Sequence, residues 1–277
     1  MSARALHRFM TAACVSLSAA SALPAQNAAE YARSAGDTLR YHNVTRMDGN
    51  VRGAAGDAPF TLSRDATFAF VFSGGDAVTA FYETLAIEAS GALGGVKPNA
   101  EELIRAPFRL RMEPNGHVAT VKAPDLPRTA RLIAELPPGF DDFFPRLPAT
   151  GTVRAGMTWV DTTVRNESDS TGRKIYQRRI NHYRATGDSV IKGKSAVVIS
   201  QHTEVRITSA NPMQQAPYIS ELSLTGDEDG VSLFSVRDGR LISRDRKGEL
   251  RGAVTYKGGD EPWVVPQTYH YHRTDTL

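Results

Sequence analysis

Two histidines near the C-terminus have the spacing that comes closest to a chemical site. His270 and His272 are separated by one residue, so on a β-strand both imidazoles would point to the same side. Such a pair could ligate a metal, but zinc sites use three or four ligands and no third ligand is identifiable. We favour a structural interpretation, in which both histidines face solvent while Tyr269 and Tyr271 pack inwards. No metal and no other cofactor is expected.

Motifs for catalysis are absent from the sequence. It contains no G-x-S-x-G nucleophile elbow and no phosphate-binding P-loop. The acidic run Asp227–Gly230 resembles part of a calcium loop, but it lacks the D-x-D-x-D-G spacing and the final glutamate of such loops. We therefore assign no catalytic residue and expect a protein that is not an enzyme.

A group of aromatic residues is the candidate ligand-binding site. Phe140, Phe143 and Phe144 lie close together in sequence, and Trp159 follows them. In one interpretation, which we favour, these side chains belong to the core and plug the sheet. In the other, they form a lid over a hydrophobic cavity, since apolar pockets are a common way to shelter an apolar ligand.

The first 25 residues have the pattern of a secretory signal peptide. Arg4 and Arg8 precede a run of apolar and small residues, and Pro24 and Ala25 form a small-residue exit, so cleavage is expected after Ala25. Cys14 is the single cysteine. Acylation of Cys14 as in a lipoprotein is disfavoured, because only about five apolar residues would remain before it. The sequence thus predicts export to the periplasm or the extracellular space.

Composition and charge exclude several classes of protein. The 277 residues include 33 Lys and Arg, 30 Asp and Glu, and 41% hydrophobic residues, values near those of average globular proteins. No apolar run reaches the roughly 18 residues of a membrane-spanning helix. Basic residues are not interleaved with aromatics as in nucleic-acid-binding surfaces. The most basic stretch, residues 173–184, is interpreted as the solvent face of a strand, so neither a transmembrane helix nor a nucleic-acid partner is expected.

Alternation of apolar and polar residues predicts β-strands from Thr38 onwards. Residues 77–89 fit a helix or a strand, and we favour a strand because a Gly-Gly-Asp turn comes directly before them. Asn115 and Gly116 lie between two alternating runs and predict a hairpin. Residues 231–256 predict a three-stranded meander, with turns at Asp238-Gly239 and at Lys247-Gly248.

These patterns predict a mainly β protein built of two halves. The expected division is a signal peptide over 1–25, a first β half over 26–124, a short helical insert over 125–148 and a second β half over 149–277. Strand-rich halves of this length must curve or pair to bury one face. The expected fold is therefore a curved antiparallel sheet, as an open sheet or half barrel, with the two halves forming one compact unit.

Two segments carry a resemblance to a known group of proteins. Residues 140–162 and 234–256 resemble segments of uncharacterised exported bacterial β-proteins, and the group is loosely similar to the half-barrel of periplasmic lipoprotein carriers. The resemblance implies export, a β architecture, and a lipid or lipoprotein acyl chain as a partner.

The favoured function is a non-enzymatic binding or carrier protein for an apolar, lipid-like ligand at the cell envelope. The alternative is a structural or interaction module that presents sheet edges or loops to another envelope protein, and the third hypothesis is a hydrolase without a recognisable motif. A carrier requires an apolar cavity lined by residues that the core does not need. An interaction module requires an unprotected edge strand or an exposed apolar patch, and an enzyme requires titratable groups clustered in a cleft.

Overall fold

The computed structural model describes most of the chain after residue 28. The described ranges are 29–53, 56–94, 100–126, 139–168, 172–191, 194–212, 219–258 and 261–277. The predicted signal peptide, with Cys14 and the cleavage position, lies outside them. No helix in these ranges is long and apolar enough to cross a membrane.

Eleven antiparallel strands form a single sheet. In chain order they are β1 Thr38–Gly53, β2 Gly56–Gly74, β3 Ala77–Gly91, β4 Phe108–Met112, β5 Val118–Lys122, β6 Thr158–Ser168, β7 Lys174–Ile191, β8 Lys194–Pro212, β9 Ile219–Ser235, β10 Arg240–Lys257 and β11 Trp263–Thr276. Their order across the sheet is β5-β4-β3-β2-β1-β11-β10-β9-β8-β7-β6.

The sheet is open, and the strands that come first and last in chain order, β1 and β11, are neighbours near its centre. β1 pairs with β11 from His42 opposite Thr276 to Val51 opposite Gln267. β5 and β6 are the two edges, and they are not paired with each other in the described part of the chain. The predicted fold class, a mainly β protein with an antiparallel open sheet, is confirmed.

The helical insert differs from the prediction. Within the described residues of 125–148, regular structure is limited to a 3-10 turn over Phe140–Asp142. Residues 127–138 of the predicted insert lie outside the described ranges. Residues 77–89, by contrast, are a strand as favoured, because β3 pairs with β2 across the Gly74–Asp76 turn.

One of the two turns predicted for the meander is not a turn in the structure. The chain turns at Asp238-Gly239 as expected, but β10 runs without interruption through Lys247 and Gly248. Gly248 pairs with both neighbouring strands, and the ring of Tyr271 on β11 lies over it. A Cβ atom at this position would come within 2.7 Å of the Tyr271 ring. Here glycine signals close approach between side chain and backbone, which is its usual meaning inside a strand.

The inner face of the sheet bears the core. Aromatic and aliphatic side chains from β1 to β4 and from β7 to β10 meet there, and the segment after residue 139 packs between them. Phe68, Phe70 and Phe72 lie on this face as the alternation predicts, and all three are buried. Side chains from distant strands therefore share one interior, which requires a strongly curved sheet.

Candidate ligand-binding face

The predicted aromatic residues lie at one end of the inner face. Phe140, Phe143 and Phe144 are buried, and their rings pack edge-on against rings of the sheet such as Tyr41, with centroids 4.9 Å from Phe143. They form the aromatic plug, the name used below for residues Phe140–Phe144. As candidate ligand-binding residues they remain a prediction, and the packing places them in the core.

Trp159 lies beside the plug at the edge of the sheet. Its indole stacks on Tyr183, with centroids 5.3 Å apart, and its ring nitrogen donates a hydrogen bond to the carbonyl oxygen of Arg146 at 2.9 Å. The side chain is partly buried against the same core. The four residues predicted from sequence are therefore brought together by the fold.

A layer of buried arginines follows the plug along the inner face, and sequence reasoning missed it. The strand register aligns Arg246, Arg273, Thr45 and Arg64 across four neighbouring strands. We call the following five residues the arginine layer: Arg64, Arg179, Arg244, Arg246 and Arg273. Four of them are at most 1% exposed, although arginine is rarely fully buried unless it is paired.

Two carboxylates pair with one side of this layer. Glu228 lies 2.9 Å from Nη2 of Arg179, and Asp142 lies 2.9 Å from Nη1 of Arg246. Burial would raise the pKa of the Glu228 carboxyl, but Arg179 and Arg246 outweigh burial and lower the pKa to about 2. The same two arginines hold the pKa of Asp142 below its usual value against the opposing effect of burial. Both acids are therefore ionised at neutral pH.

Arg244 ties the plug to the sheet. Its Nη1 donates hydrogen bonds to the carbonyl oxygens of Asp142 and Phe143, at 2.9 and 2.8 Å, and its Nη2 donates to Gln201 at 2.6 Å. These acceptors are neutral. Burial and the neighbouring Arg246 lower the pKa of the Arg244 guanidinium, which is the expected direction for a buried cation close to another cation.

The layer holds more positive than negative charge. Arg273 pairs with Asp275 at 2.9 Å, and Arg179 and Arg246 share Asp142 and Glu228. Among the described residues, no carboxylate lies within ion-pair distance of Arg64 or Arg244. Arg64 contacts the side-chain oxygens of Asn43 and Thr45 at 3.3 and 3.4 Å. The five guanidinium groups of the layer thus face three carboxylates, those of Asp142, Glu228 and Asp275.

An apolar trough continues from the layer towards the far rim of the sheet, the end where β8 connects to β9 and β10 to β11. It comprises buried Val205, Leu224 and Leu250 and the partly exposed side chains of Ile207, Leu222, Tyr269 and Tyr271. Trp263 stacks on Tyr256 at the rim, with ring centroids 5.1 Å apart, and is 53% exposed.

The trough and the arginine layer are in direct contact. Arg179 on β7 is the register partner of Val205 on β8. The hydroxyl of Tyr271 donates a hydrogen bond to Glu228 at 2.6 Å while its ring packs on the apolar cluster. A cationic interior and an apolar surface therefore adjoin on one face.

The predicted histidine pair lies on the opposite, outer face. His270 and His272 are about half exposed, and His272 contacts Asp245 at 2.8 Å. Tyr269 and Tyr271 point inwards, as the structural interpretation predicts. In the ranges that the structure describes, no group of three or more His, Cys, Asp or Glu residues could hold a metal ion.

The basic stretch over residues 173–184 is predicted to be the solvent face of an amphipathic strand, and among its arginines this is wrong for Arg179. Arg178 is exposed, whereas Arg179 is buried in the arginine layer. Adjacent residues of a strand point to opposite faces, so one arginine must point inwards. The recurrence of arginine at alternate positions 244 and 246 of one strand is the signal that would have indicated the layer.

Comparison with known proteins gives no family. No protein-family model matches the sequence, and no curated protein matches it. Among solved structures, Neisserial surface protein A aligns with 87% of this chain and 98% of its own at 8% identity and a TM-score of 0.23.

Two further solved structures align at similar levels. A loop-deletion mutant of OmpT, an outer membrane protein of Vibrio cholerae, covers 88% of this chain and 99% of its own at 8% identity and a TM-score of 0.18. A putative outer membrane lipoprotein-sorting protein domain from Vibrio parahaemolyticus covers 84% and 83% at 9% identity and 0.14. All three TM-scores lie below 0.5, so these structures carry no inference about the present chain.

Proposed function

We propose that the protein is an exported, non-enzymatic binding or carrier protein for an apolar, lipid-like ligand at the cell envelope. The observation that supports this proposal is the apolar trough. Its buried members lie on the inner face, beyond the plug, and four further side chains packed on them are partly exposed: Ile207, Leu222, Tyr269 and Tyr271. The predicted signal peptide over residues 1–25 supports export.

The trough is better suited to a ligand than the plug end. Phe143 and Phe144 are surrounded by other rings, so an apolar ligand there would have to displace packed side chains. In the trough, an acyl chain would cover apolar area that is now partly exposed, which is favourable by roughly 25 cal/mol for each Å² removed from water. The plug and Trp159 would then form the closed end of the binding face.

Native mass spectrometry tests the proposal. The exported protein is purified from the envelope of its own host without detergent, and its mass is measured before and after extraction with organic solvent. We expect an adduct of lipid mass that the solvent removes. A protein without an adduct, which also fails to take up a fluorescent fatty-acid analogue, would contradict the proposal.

A pair of variants on one strand locates the ligand. Leu222→Asp places a charge in the trough, whereas Val231→Asp places the same charge on the exposed outer face of β9. We expect Leu222→Asp to abolish uptake of the fatty-acid analogue and Val231→Asp to retain it. Equal uptake by both variants would show that the ligand does not bind in the trough.

The interaction-module alternative is favoured by one observation, the edge strand β6. Its outer side has no paired strand in the described chain, and it exposes Val160 and Val164. Such an edge is a template for strand addition by a partner. Capture of the same envelope protein by the wild type and not by Val164→Pro would favour this alternative, because proline cannot donate to a strand ladder.

A further inference from the structure

The arginine layer contains buried donors without acceptors. Nε of Arg179, Nε of Arg244 and both Nε and Nη2 of Arg246 have no hydrogen-bond partner among the described residues. Nearly all buried polar groups in native proteins have such partners, and a charged donor left without one is especially costly. The layer is therefore incomplete with respect to hydrogen-bond acceptors.

The layer also has fewer negative than positive groups. Five buried arginines face Asp142, Glu228 and Asp275. Arg246 and Arg273 are direct cross-strand partners, an arrangement that is unfavourable for like charges unless an anion lies between them. Gly230 makes room for the Arg246 side chain to lie in the layer, since a Cβ there would come within 2.9 Å of that side chain.

We propose that the arginine layer binds the anionic head group, phosphate or carboxylate, of a single-chain amphiphile whose tail lies in the apolar trough. This rests on the proposed function and names the class of its ligand. An oxyanion would accept hydrogen bonds from the unsatisfied guanidinium nitrogens and offset the excess positive charge, and planar guanidinium groups match the geometry of phosphate and carboxylate.

The position of the layer supports an amphiphile over a free anion. Arg179 borders Val205, and Tyr271 belongs to both the trough and the hydrogen-bond network of Glu228. A head group at the arginines would leave its tail directed along Leu250, Leu224 and Leu222 towards the rim. The charge of the layer and the apolarity of the trough thus complement the two ends of one molecule.

Isothermal titration of the exported protein, delipidated, with three probes tests the proposal. The probes are dodecyl phosphate, dodecyl maltoside with the same tail and a neutral head, and inorganic phosphate. We expect dodecyl phosphate to bind about tenfold or more tightly than dodecyl maltoside, because hydrogen bonds to charged groups are stronger than neutral ones. Inorganic phosphate is expected to bind more weakly than dodecyl phosphate.

Two variants link the preference to the layer. Arg244→Gln and Arg64→Gln each remove a cation that has no carboxylate partner among the described residues, so neither leaves a known ion pair broken. Each is expected to reduce the preference for dodecyl phosphate by about tenfold. Arg251→Gln, on the exposed outer face of β10, is the matched control and should keep it. Thermal unfolding identifies any variant that fails to fold, in which case the other variant decides.

The outcomes separate this proposal from the proposed function. Equal affinity for the two dodecyl compounds would overturn head-group recognition and leave the carrier function standing. Binding of neither compound would overturn both. Inorganic phosphate binding as tightly as dodecyl phosphate would show a site for a free anion and overturn the amphiphile. A preference that survives both arginine variants would overturn the assignment to this layer.

Discussion

At the scale of single residues, the interior is governed by which face of a strand each side chain occupies. Arg178 and Arg179 are neighbours of the same type, yet one is in solvent and the other contacts Glu228. Burial of a guanidinium is costly, and the cost is offset only by good pairing and hydrogen bonds. Asp142 and Glu228 supply this pairing for Arg179 and Arg246. Removal of either carboxylate is therefore expected to lower the free energy of unfolding strongly.

Acid stability is the first consequence at this scale. Glu228 has a pKa of about 2 in the folded protein against a usual value of 4.5, so its contribution to stability is present above 4.5 and is lost as pH falls towards 2. The unfolding free energy should therefore decline across this interval. The slope from one such carboxyl approaches about 1.4 kcal/mol per pH unit.

The variant Glu228→Gln tests this expectation through urea unfolding at a series of pH values. It should be less stable at neutral pH and should show a smaller slope below pH 4.5. Glu221→Gln, which changes a half-exposed carboxyl on the same strand, is the control and should keep the wild-type slope. An unchanged slope in Glu228→Gln would contradict the expectation.

The close contact between the Tyr271 ring and the backbone of Gly248 leads to a second prediction at this scale. Gly248→Ala should destabilise the protein by about 1–3 kcal/mol, because the new Cβ would overlap the Tyr271 ring and disturb its bond to Glu228. Gly187→Ala on β7 is the matched control, since a Cβ there meets nothing within 4 Å. Its effect should stay within roughly 0.5 kcal/mol. Equal effects of the two substitutions in urea unfolding would argue against this packing.

At the scale of elements, the plug is a short segment held by its contacts with the sheet. Its 3-10 turn spans three residues and has no side-chain cap, so local propensity contributes little to its position. Arg244 binds its carbonyl oxygens, Arg246 binds Asp142, and the phenylalanines fill the space between strands. The plug therefore belongs to the core of the sheet.

Truncation of a plug ring should be costly. Phe143→Ala is expected to lower the unfolding free energy by about 3–5 kcal/mol, because the side chain is 1% exposed and the surrounding rings cannot collapse fully. Phe81→Ala on β3, whose side chain is partly exposed, should cost less than about 2 kcal/mol. A small loss in Phe143→Ala would indicate that the plug end is a loose cavity, as the lid interpretation requires.

At the scale of the whole molecule, the pairing of β1 with β11 joins the two parts of the open sheet. Residues 42–51 pair with residues 267–276, so strands from opposite ends of the sequence form the centre of the sheet. β1 to β5 lie on one side of this junction and β6 to β11 on the other. Each side alone would expose a long unpaired edge and half of the aromatic core.

Co-expression of the two sides tests this arrangement. A tagged fragment of residues 26–126 should co-purify with a fragment of residues 127–277, because the β1–β11 ladder and the plug contacts join them. Each fragment expressed alone should aggregate. The control is the second fragment with Arg273→Pro, which removes a donor from β11. Association that is unaffected by this change would contradict the central role of the ladder.

Local sequence determined much of the architecture. Alternation predicted the strands, and Gly-Asp and Asn-Gly turns fixed the hairpins of β2–β3 and β4–β5. The spacing of the two C-terminal histidines placed both on one face with the tyrosines opposite. These features depend on period and turn chemistry, which act over a few residues and are therefore readable without the fold.

Other features were decided by tertiary structure, because they depend on residues far apart in sequence. Lys247-Gly248 has the sequence pattern of a turn, and only the ring of Tyr271 from the neighbouring strand shows why a glycine stands at this strand position. The arginine layer joins strands from distant parts of the sequence, and its carboxylates come from β9, β11 and the plug. The face on which an arginine lies follows from the strand register, and the register follows from burial of the whole inner face.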